Sequence, residues 1–343
     1  MINSSHVKKI LIIKLRGIGD VVLSSVVFDN LRDNFPAASV DYITEKPSEQ
    51  VLEPLPFINK VILFSRKELK DRISLIMKVR KEKYDLILDF YSNPFTAQIT
   101  FLSGAKYRAG FPYKGRKYAY NIYGPAERAK YHAAELHLKF LEEIGMKVTS
   151  GNLQLGITET DKNFAEEYFK NNFNDGKLVI GISPSGGWES KKCDPIKFAE
   201  IADAIADKYN ARLLLLWGPG DEADADEIIK LMKHDITKAP ATKIGAMAAL
   251  ISQCSALVAN DSGPMHISTA VNTPTLSIHG PTDPKLQGPY GSKHEYVLLD
   301  ELECIICNLL ECPRNHECFL ELPAERVISV FNTLLKKNNL LQS

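Results

Sequence analysis

Apolar residues along this chain fall into two alternating arrangements, short unbroken runs and longer stretches that repeat every three to four positions. Lys8–Leu15 is a run of strand length, and apolar positions between Val21 and Pro36 follow it at helical spacing. Ser39–Glu45 and Lys60–Phe64 read as the next strands, a basic amphipathic helix covers Lys67–Lys83, and Tyr84–Phe90 closes the series. The second half repeats the pattern, with strands at Lys177–Ser183, Ala211–Gly218, Ser255–Asp261 and Thr273–Gly280. Helices are expected between them at Asp194–Tyr209, Asp221–His234 and Gly263–Ala270. Strands that are apolar throughout and alternate with helices predict parallel sheets covered on both faces. The polar segment Gly145–Asp175, which contains one short amphipathic helix, is the linker candidate. After Pro323 a last helix is expected, with proline at its first position. Two doubly wound domains facing each other across a cleft is the economical architecture.

Length and composition agree with this and remove several classes. The chain has 343 residues, enough for two domains, and 45% hydrophobic with 24% charged residues is ordinary globular composition. Lys and Arg total 42 against 42 Asp and Glu, so a general nucleic-acid binder, which needs a basic excess, is not expected. No apolar run approaches the roughly 20 residues that span a bilayer. The first apolar run is too short for a signal-peptide core, so a cytoplasmic protein is expected. Of six cysteines, Cys304, Cys307, Cys312 and Cys318 crowd one segment. In a reducing compartment that points to metal or redox chemistry before a disulfide framework.

In doubly wound sheets ligands bind beyond the carboxyl ends of the strands, and three such places stand out. Arg16-Gly17-Ile18-Gly19-Asp20 follows the first strand; it lacks the third glycine of a dinucleotide fingerprint, since position 22 is valine. Asp20 there is either a helix cap or a general base. Ser183-Pro184-Ser185-Gly186-Gly187-Trp188, running on to Lys191 and Lys192, suits a phosphate cradle or is a solvated loop. It lacks the Gly-Lys-Ser/Thr ending of a nucleoside-triphosphatase loop. Asn260-Asp261-Ser262-Gly263-Pro264-Met265-His266 ends a strand and opens a helix whose free N–H groups favour a diphosphate. Gly280-Pro281-Thr282-Asp283-Pro284 follows the next strand and is expected beside it.

These strings support a family resemblance. KILIIKLRGIGDVVLSSVVFDNLRDNFP, ISPSGGWESKKCDPIKFAEIA, NDSGPMHISTAVNTPTLSIHGPTDP and CIICNLLECPRNHECFLELPAERV together resemble glycosyltransferase family 9. That family comprises the ADP-heptose:lipopolysaccharide heptosyltransferases, and the resemblance runs nearly end to end. It implies the GT-B fold, with an acceptor-binding domain over 1–160 and a donor-binding domain over 161–322. The helix of 323–343 is expected to pack back toward the first domain. By the same resemblance Asp20 matches the carboxylate that deprotonates the acceptor, and Lys192 a lysine on the donor phosphates. Ser262, Gly263, Pro264, Met265 and His266 match the phosphate-binding part of the donor motif; Gly218, Glu222 and Asp261 match positions that hold the nucleoside or sugar. A carboxylate such as Glu222 can accept hydrogen bonds from both ribose hydroxyls.

The implied reaction is inverting transfer from an ADP-sugar to a lipid-linked glycan, with reversible contact at the inner-membrane surface. No cofactor is implied. Asp224-Ala225-Asp226 looks like a metal-binding Asp-x-Asp, yet it lies in an acidic helix start that the macrodipole explains; catalysis is expected to need no metal. The basic, aromatic segment Lys106–Lys117 offers Arg108, Lys114 and Arg116, with Lys117, to an anionic acceptor, or is a solvated loop. The four clustered cysteines suit a structural metal, a disulfide pair or reduced packing thiols. His279, where an apolar residue is commoner in the family, is a nucleotide contact or a structural residue. A nucleotide-sugar 2-epimerase of the same fold and a non-catalytic paralogue are the competing readings.

Overall fold

The computed structural model describes residues 2–64 and 69–341. It divides into two units, Met1–Gly156 and Ile157–Ser343, each built on a six-stranded parallel sheet. In the first unit β1 (Lys9–Ile13), β2 (Ser39–Thr44), β3 (Ile58–Leu63), β4 (Leu86–Asp89), β5 (Tyr107–Gly110) and β6 (Ile122–Tyr123) are ordered 3-2-1-4-5-6. In the second, β7 (Val179–Ser183), β8 (Arg212–Leu215), β9 (Thr237–Lys238), β10 (Ala256–Asn260), β11 (Thr275–Ile278) and β12 (Glu295–Val297) repeat that order as 9-8-7-10-11-12. Both are therefore dinucleotide-fold sheets. Their strand order reverses between β1 and β4 in one unit and between β7 and β10 in the other.

The apolar runs become central strands because helices cover both faces. Ile10–Ile13, Leu86–Leu88, Ile180, Ile182 and Ala256–Ala259 are all buried. Register leaves the ends at each reversal level: Ile13 pairs with Asp89, and Ser183 with Ala259. The expected strands appear with ragged ends trimmed, whereas β5, β6, β9 and β12 are short additions that the sequence reading passed over. The basic helix runs Leu69–Glu82; its expected start at Lys67 lies outside the described residues.

Helix ends follow local chemistry. The helix Pro195–Tyr209 starts on proline and stops at Asn210 in the left-handed conformation (φ 48°). Glu222–Leu231 ends before the expected His234, because the N–H groups of Lys233 and His234 turn aside to the Asp203 carboxylate.

The linker candidate is not free chain. Asn30 is fully buried; its side chain donates to the Ser150 carbonyl and accepts from the N–H groups of Thr149 and Ser150. This straps the segment to the first unit up to Gly156. The helix Glu159–Asn172, capped reciprocally by Thr158 and Asp161, belongs to the second. The division thus falls at Gly156–Ile157, slightly before the expected boundary at 160. The last helix, Ala324–Lys337, buries Val327, Phe331, Leu334 and Leu335 in the second unit's own core. Its apolar stripe is thus part of the second unit's core.

Candidate active site

At the first reversal the chain leaves β1 through Lys14 and Leu15 into a turn. Its left-handed residue is Arg16 (φ 89°). The turn is held by the Arg16 N–H donating to Glu45, the Arg16 Nε donating to the Tyr91 hydroxyl, and the Ser48 hydroxyl donating to the Arg16 carbonyl. A non-glycine residue at positive φ is strained, and such strain collects at functional turns.

The helix Ile18–Ser24 then begins with Gly17 at its N-cap, so Asp20 is not the cap. Its Oδ1 stands 3.0 Å from Lys14 Nζ, with the lysine side chain 4% exposed and the aspartate 44%. A buried cation thus holds a carboxylate whose other side meets solvent. Lys14 was missed in the sequence because it reads as one polar letter in an apolar run. Beside it, Asp89 at the end of β4 is buried and accepts from the N–H groups of Tyr91 and Ser92 and from the Tyr120 hydroxyl. Burial nonetheless pushes its carboxyl up to about 6. Buried His137 is driven well below its ordinary value by desolvation and by the charges of Lys14 and Arg128.

At the second reversal three loops converge on Asp261. Lys191 Nζ lies 2.6 Å from its Oδ2, with the two side chains 11% and 5% exposed, and the Thr282 hydroxyl donates to the same oxygen. Burial alone would raise this carboxyl, but His279, Lys191 and His266 together hold it below the usual range. Lys191 also sits 4.4 Å over the Trp188 ring. Asp261 is therefore a brace that fixes the 188–192, 261–266 and 280–283 loops.

His279 is fully buried between Ser277 and Thr282, and burial lowers it to about 4. Of the two roles left open for it, the placement is the structural one.

The elements expected to bind an anion stand around this brace. The helix Gly263–Ala270 starts from extended Ser262 with no side-chain cap, and the Ser262 hydroxyl turns back to the Asn260 carbonyl. Its first N–H groups are left for a ligand. Pro264 and His266 are buried in this first turn, while Met265 is fully buried and packs. Across the reversal, the Ser183 and Ser185 hydroxyls are buried with no hydrogen-bond partner among the described residues. Sequence reasoning placed the cradle but did not single out these two side chains. Gly186 is needed where it is: a Cβ there would lie 2.5 Å from the Lys192 stem.

Lys192 Nζ lies 3.1 Å from Asp221 and 2.8 Å from Asp224. Burial works against its charge, but these two carboxylates carry its pKa above the ordinary value. Asp226 pairs with Lys238, which also lies 3.5 Å from Glu222 and 5.0 Å over the Trp217 ring. Asp224 and Asp226 thus each face a lysine, which is not the arrangement of a metal-binding Asp-x-Asp. Gly218 adjoins this group, with the Asp221 carboxylate 3.5 Å and the Ser185 hydroxyl 4.0 Å from where its Cβ would stand.

The remaining predicted residues divide. Arg108 spends its guanidinium on the carbonyls of Ala119 and Ala105, a structural use. Lys114 is exposed, and Arg116 stacks 5.5 Å from the Tyr113 ring centre. The four clustered cysteines line one cavity of about 40 Å³ with Ser190 and Gly280. Among the described residues, however, no three His, Cys, Asp or Glu side chains stand as a metal-binding group. All four are free thiols, and burial with the neighbouring cysteines pushes Cys318 up to about 12. Cys307 is exposed and the other three are half-buried, so the four thiols share one cavity without being part of the core. Their loop braces two of the converging loops: Leu309 and Leu310 carbonyls accept from Ser190, and the N–H groups of Ile306 and Asn308 donate to the carbonyls of Gly280 and Pro281.

Two dinucleotide-fold sheets, one presenting a lysine-anchored carboxylate and the other an anion cradle, define the class: an α/β glycosyltransferase of GT-B type. The model of "Glycosyltransferase family 9 (heptosyltransferase)" matches residues 72–316, and the chain belongs to that family. Lipopolysaccharide heptosyltransferase 2 of Escherichia coli is 22% identical over 95% of this chain and 98% of its own length. The crystal structure of a family 9 glycosyltransferase from Veillonella parvula superposes with a TM-score of 0.83, at 24% identity, covering 96% of this chain and 97% of that one. An E. coli heptosyltransferase, WaaC, solved with ADP, gives 0.71 at 19% identity, covering 95% and 99%.

Proposed function

We propose that this chain transfers a heptose from an ADP-sugar to a lipid-linked acceptor of the lipopolysaccharide core. The observation that carries the reading is the second unit's cluster of uncapped helix, lysines and serine hydroxyls without a partner among the described residues, and the first unit's own Asp20 on buried Lys14 is consistent with it. ADP as the nucleotide is supported by the ADP-bound heptosyltransferase that shares the fold. The acceptor class is supported by the lipopolysaccharide heptosyltransferase that matches along almost the whole chain.

In the proposed inverting step Asp20 takes the proton of the acceptor hydroxyl as its oxygen bonds to the anomeric carbon. The bond from that carbon to the donor phosphate breaks on the opposite face, and ADP departs with the electron pair. The N–H groups of Gly263 and Met265 at the helix start, the Ser183 and Ser185 hydroxyls and Lys192 receive the diphosphate charge. Lys192 exchanges its carboxylate partners for phosphate, and Glu222 with Gly218 takes the nucleoside side. Lys114 and Arg116 meet the anionic acceptor. No divalent ion is assigned a step, a reading supported by the lysine partners of Asp224 and Asp226.

A thermal-shift panel with ADP, UDP, GDP and CDP tests the donor assignment. A ligand at 100 times its Kd adds about 2.7 kcal/mol, and each kcal/mol moves a unit of this size by about 2–4 °C. A shift with ADP alone is expected; a shift with UDP or GDP instead removes the ADP-sugar.

A further inference from the structure

The chain has two tryptophans, and core packing accounts for one of them. Trp217 packs against the second unit's core and donates its indole N–H to the Ala239 carbonyl at 2.7 Å. Trp188 stands outside that core, half-buried at the end of the loop that follows β7. Leaving so large an apolar ring partly in water gives up burial that a core position would collect. Its placement is nonetheless fixed. Lys191 Nζ lies 4.4 Å from the ring centre, and the same Nζ is 2.6 Å from Asp261, both of these side chains being nearly buried. The turn after the ring is tied by Ser190, whose N–H and hydroxyl donate to the Leu310 and Leu309 carbonyls. Before the ring, a Cβ on Gly187 would meet nothing within 4 Å, so this stretch borders open space. A part-exposed ring held in place beyond a strand's carboxyl end is where a ligand is met in such sheets.

Two adjacent lysines set the ring's place along a bound donor. Lys192, assigned above to the diphosphate, reaches Asp221 and Asp224 at the start of the helix that carries Glu222. Lys191 turns instead to Asp261 at the end of β10. The nucleoside group of Glu222 and Gly218 is therefore on the Lys192 side, and Trp188 is on the Lys191 side, past the phosphates. We propose that Trp188 is the platform for the donor's glycosyl ring, whose C–H face lies on the indole face that Lys191 does not cover. Sugar C–H groups carry partial positive charge and meet the negative ring face, and the contact removes apolar area from water. An adenine would stack on an indole too, but the nucleoside belongs on the far side of Lys192. A cover over the Lys191–Asp261 pair would need only bulk, whereas a sugar uses the flat face. This assignment rests on the donor reading proposed above and adds the residue that answers to the sugar rather than to the nucleotide.

Calorimetry of the full chain with ADP and with ADP-heptose, no acceptor present, separates the two parts of the donor. In Trp188→Ala the Kd for ADP should stay at the wild-type value, while that for ADP-heptose should rise about tenfold or more, the worth of one aromatic contact and its buried area. Trp188→Phe restores a flat ring and should recover most of that loss. Trp188→Leu covers Lys191 and Asp261 without a flat ring and should not recover it; the same variant takes the place of Trp188→Ala should the latter misfold. In Trp217→Phe, where Trp188 is the sole tryptophan, the emission should respond to ADP-heptose more than to ADP. Equal losses for the two ligands, no loss for ADP-heptose, full recovery by Trp188→Leu, or an emission that does not distinguish the ligands overturns the proposal and leaves the donor reading standing. Failure of the wild-type protein to bind ADP strikes the donor reading and the proposal with it.

Discussion

The Lys14–Asp20 pair makes an asymmetric prediction. Stranding one partner of a fully buried ion pair costs about 3–5 kcal/mol. Here only the lysine is buried, at 4% exposure against 44% for the aspartate. Asp20→Asn leaves a buried ammonium without its carboxylate. Because water reaches the aspartate side, the penalty is discounted to about 1–2 kcal/mol. In the first unit that is a fall in melting temperature of about 2–8 °C. Lys14→Met instead removes the buried charge and leaves a carboxylate that water solvates, so stability should stay within about 1 kcal/mol of wild type. Activity runs differently. Asp20→Asn removes the proposed base and should cost ~10²–10⁴-fold in kcat, while Lys14→Met only frees the carboxylate to swing and should cost on the order of 10–100-fold. The double variant should regain most of the stability and none of the turnover. Melting curves and ADP release with a core acceptor check the four proteins. Full turnover by Lys14→Met, or an unchanged melting temperature for Asp20→Asn, would refute the reasoning.

Three further outcomes are expected. Ser183→Ala and Ser185→Ala, which remove hydroxyls without a partner among the described residues, should leave melting unchanged and weaken ADP binding roughly tenfold each by calorimetry; unchanged affinity would take them out of the donor site. Asp261→Asn strands buried Lys191 and should cost about 3–5 kcal/mol, a drop of about 6–20 °C in the second unit's transition by scanning calorimetry. Asp89 is raised from 3.8 to about 6 by burial. The folded protein therefore binds the extra proton between those values, and stability falls as pH rises through them, by roughly 3 kcal/mol in all. Asp89→Asn should gain on wild type over that window in melting experiments; a gap that stays constant with pH would contradict the burial argument.

How much of this was legible follows from what each residue depends on. β1, β4, β7 and β10 are central strands covered on both faces, so their apolar runs announce them. The turns after β1, β7 and β10 were legible for the same reason, since strand ends at the reversal are where ligand loops must fall, whereas the turn after β4 was passed over. β5, β6, β9 and β12 are too short and mixed to show a period. The helix Pro94–Leu102 did carry a signal, Asn93 and Thr96 capping it reciprocally with proline at its first position. Arg108 and Lys114 look alike in a basic loop; only the fold sets the carbonyls of Ala105 and Ala119 around one of them. Asp261 and His279 likewise became braces because three loops close on them, which no local spacing reveals.

The most direct test of the central claim is mass spectrometry of a lipid-linked core acceptor incubated with the protein and ADP-heptose. The acceptor should gain one heptosyl residue with wild-type protein and none with Asp20→Ala. No gain from ADP-heptose, with gain from a UDP-hexose under the same conditions, would contradict the assignment.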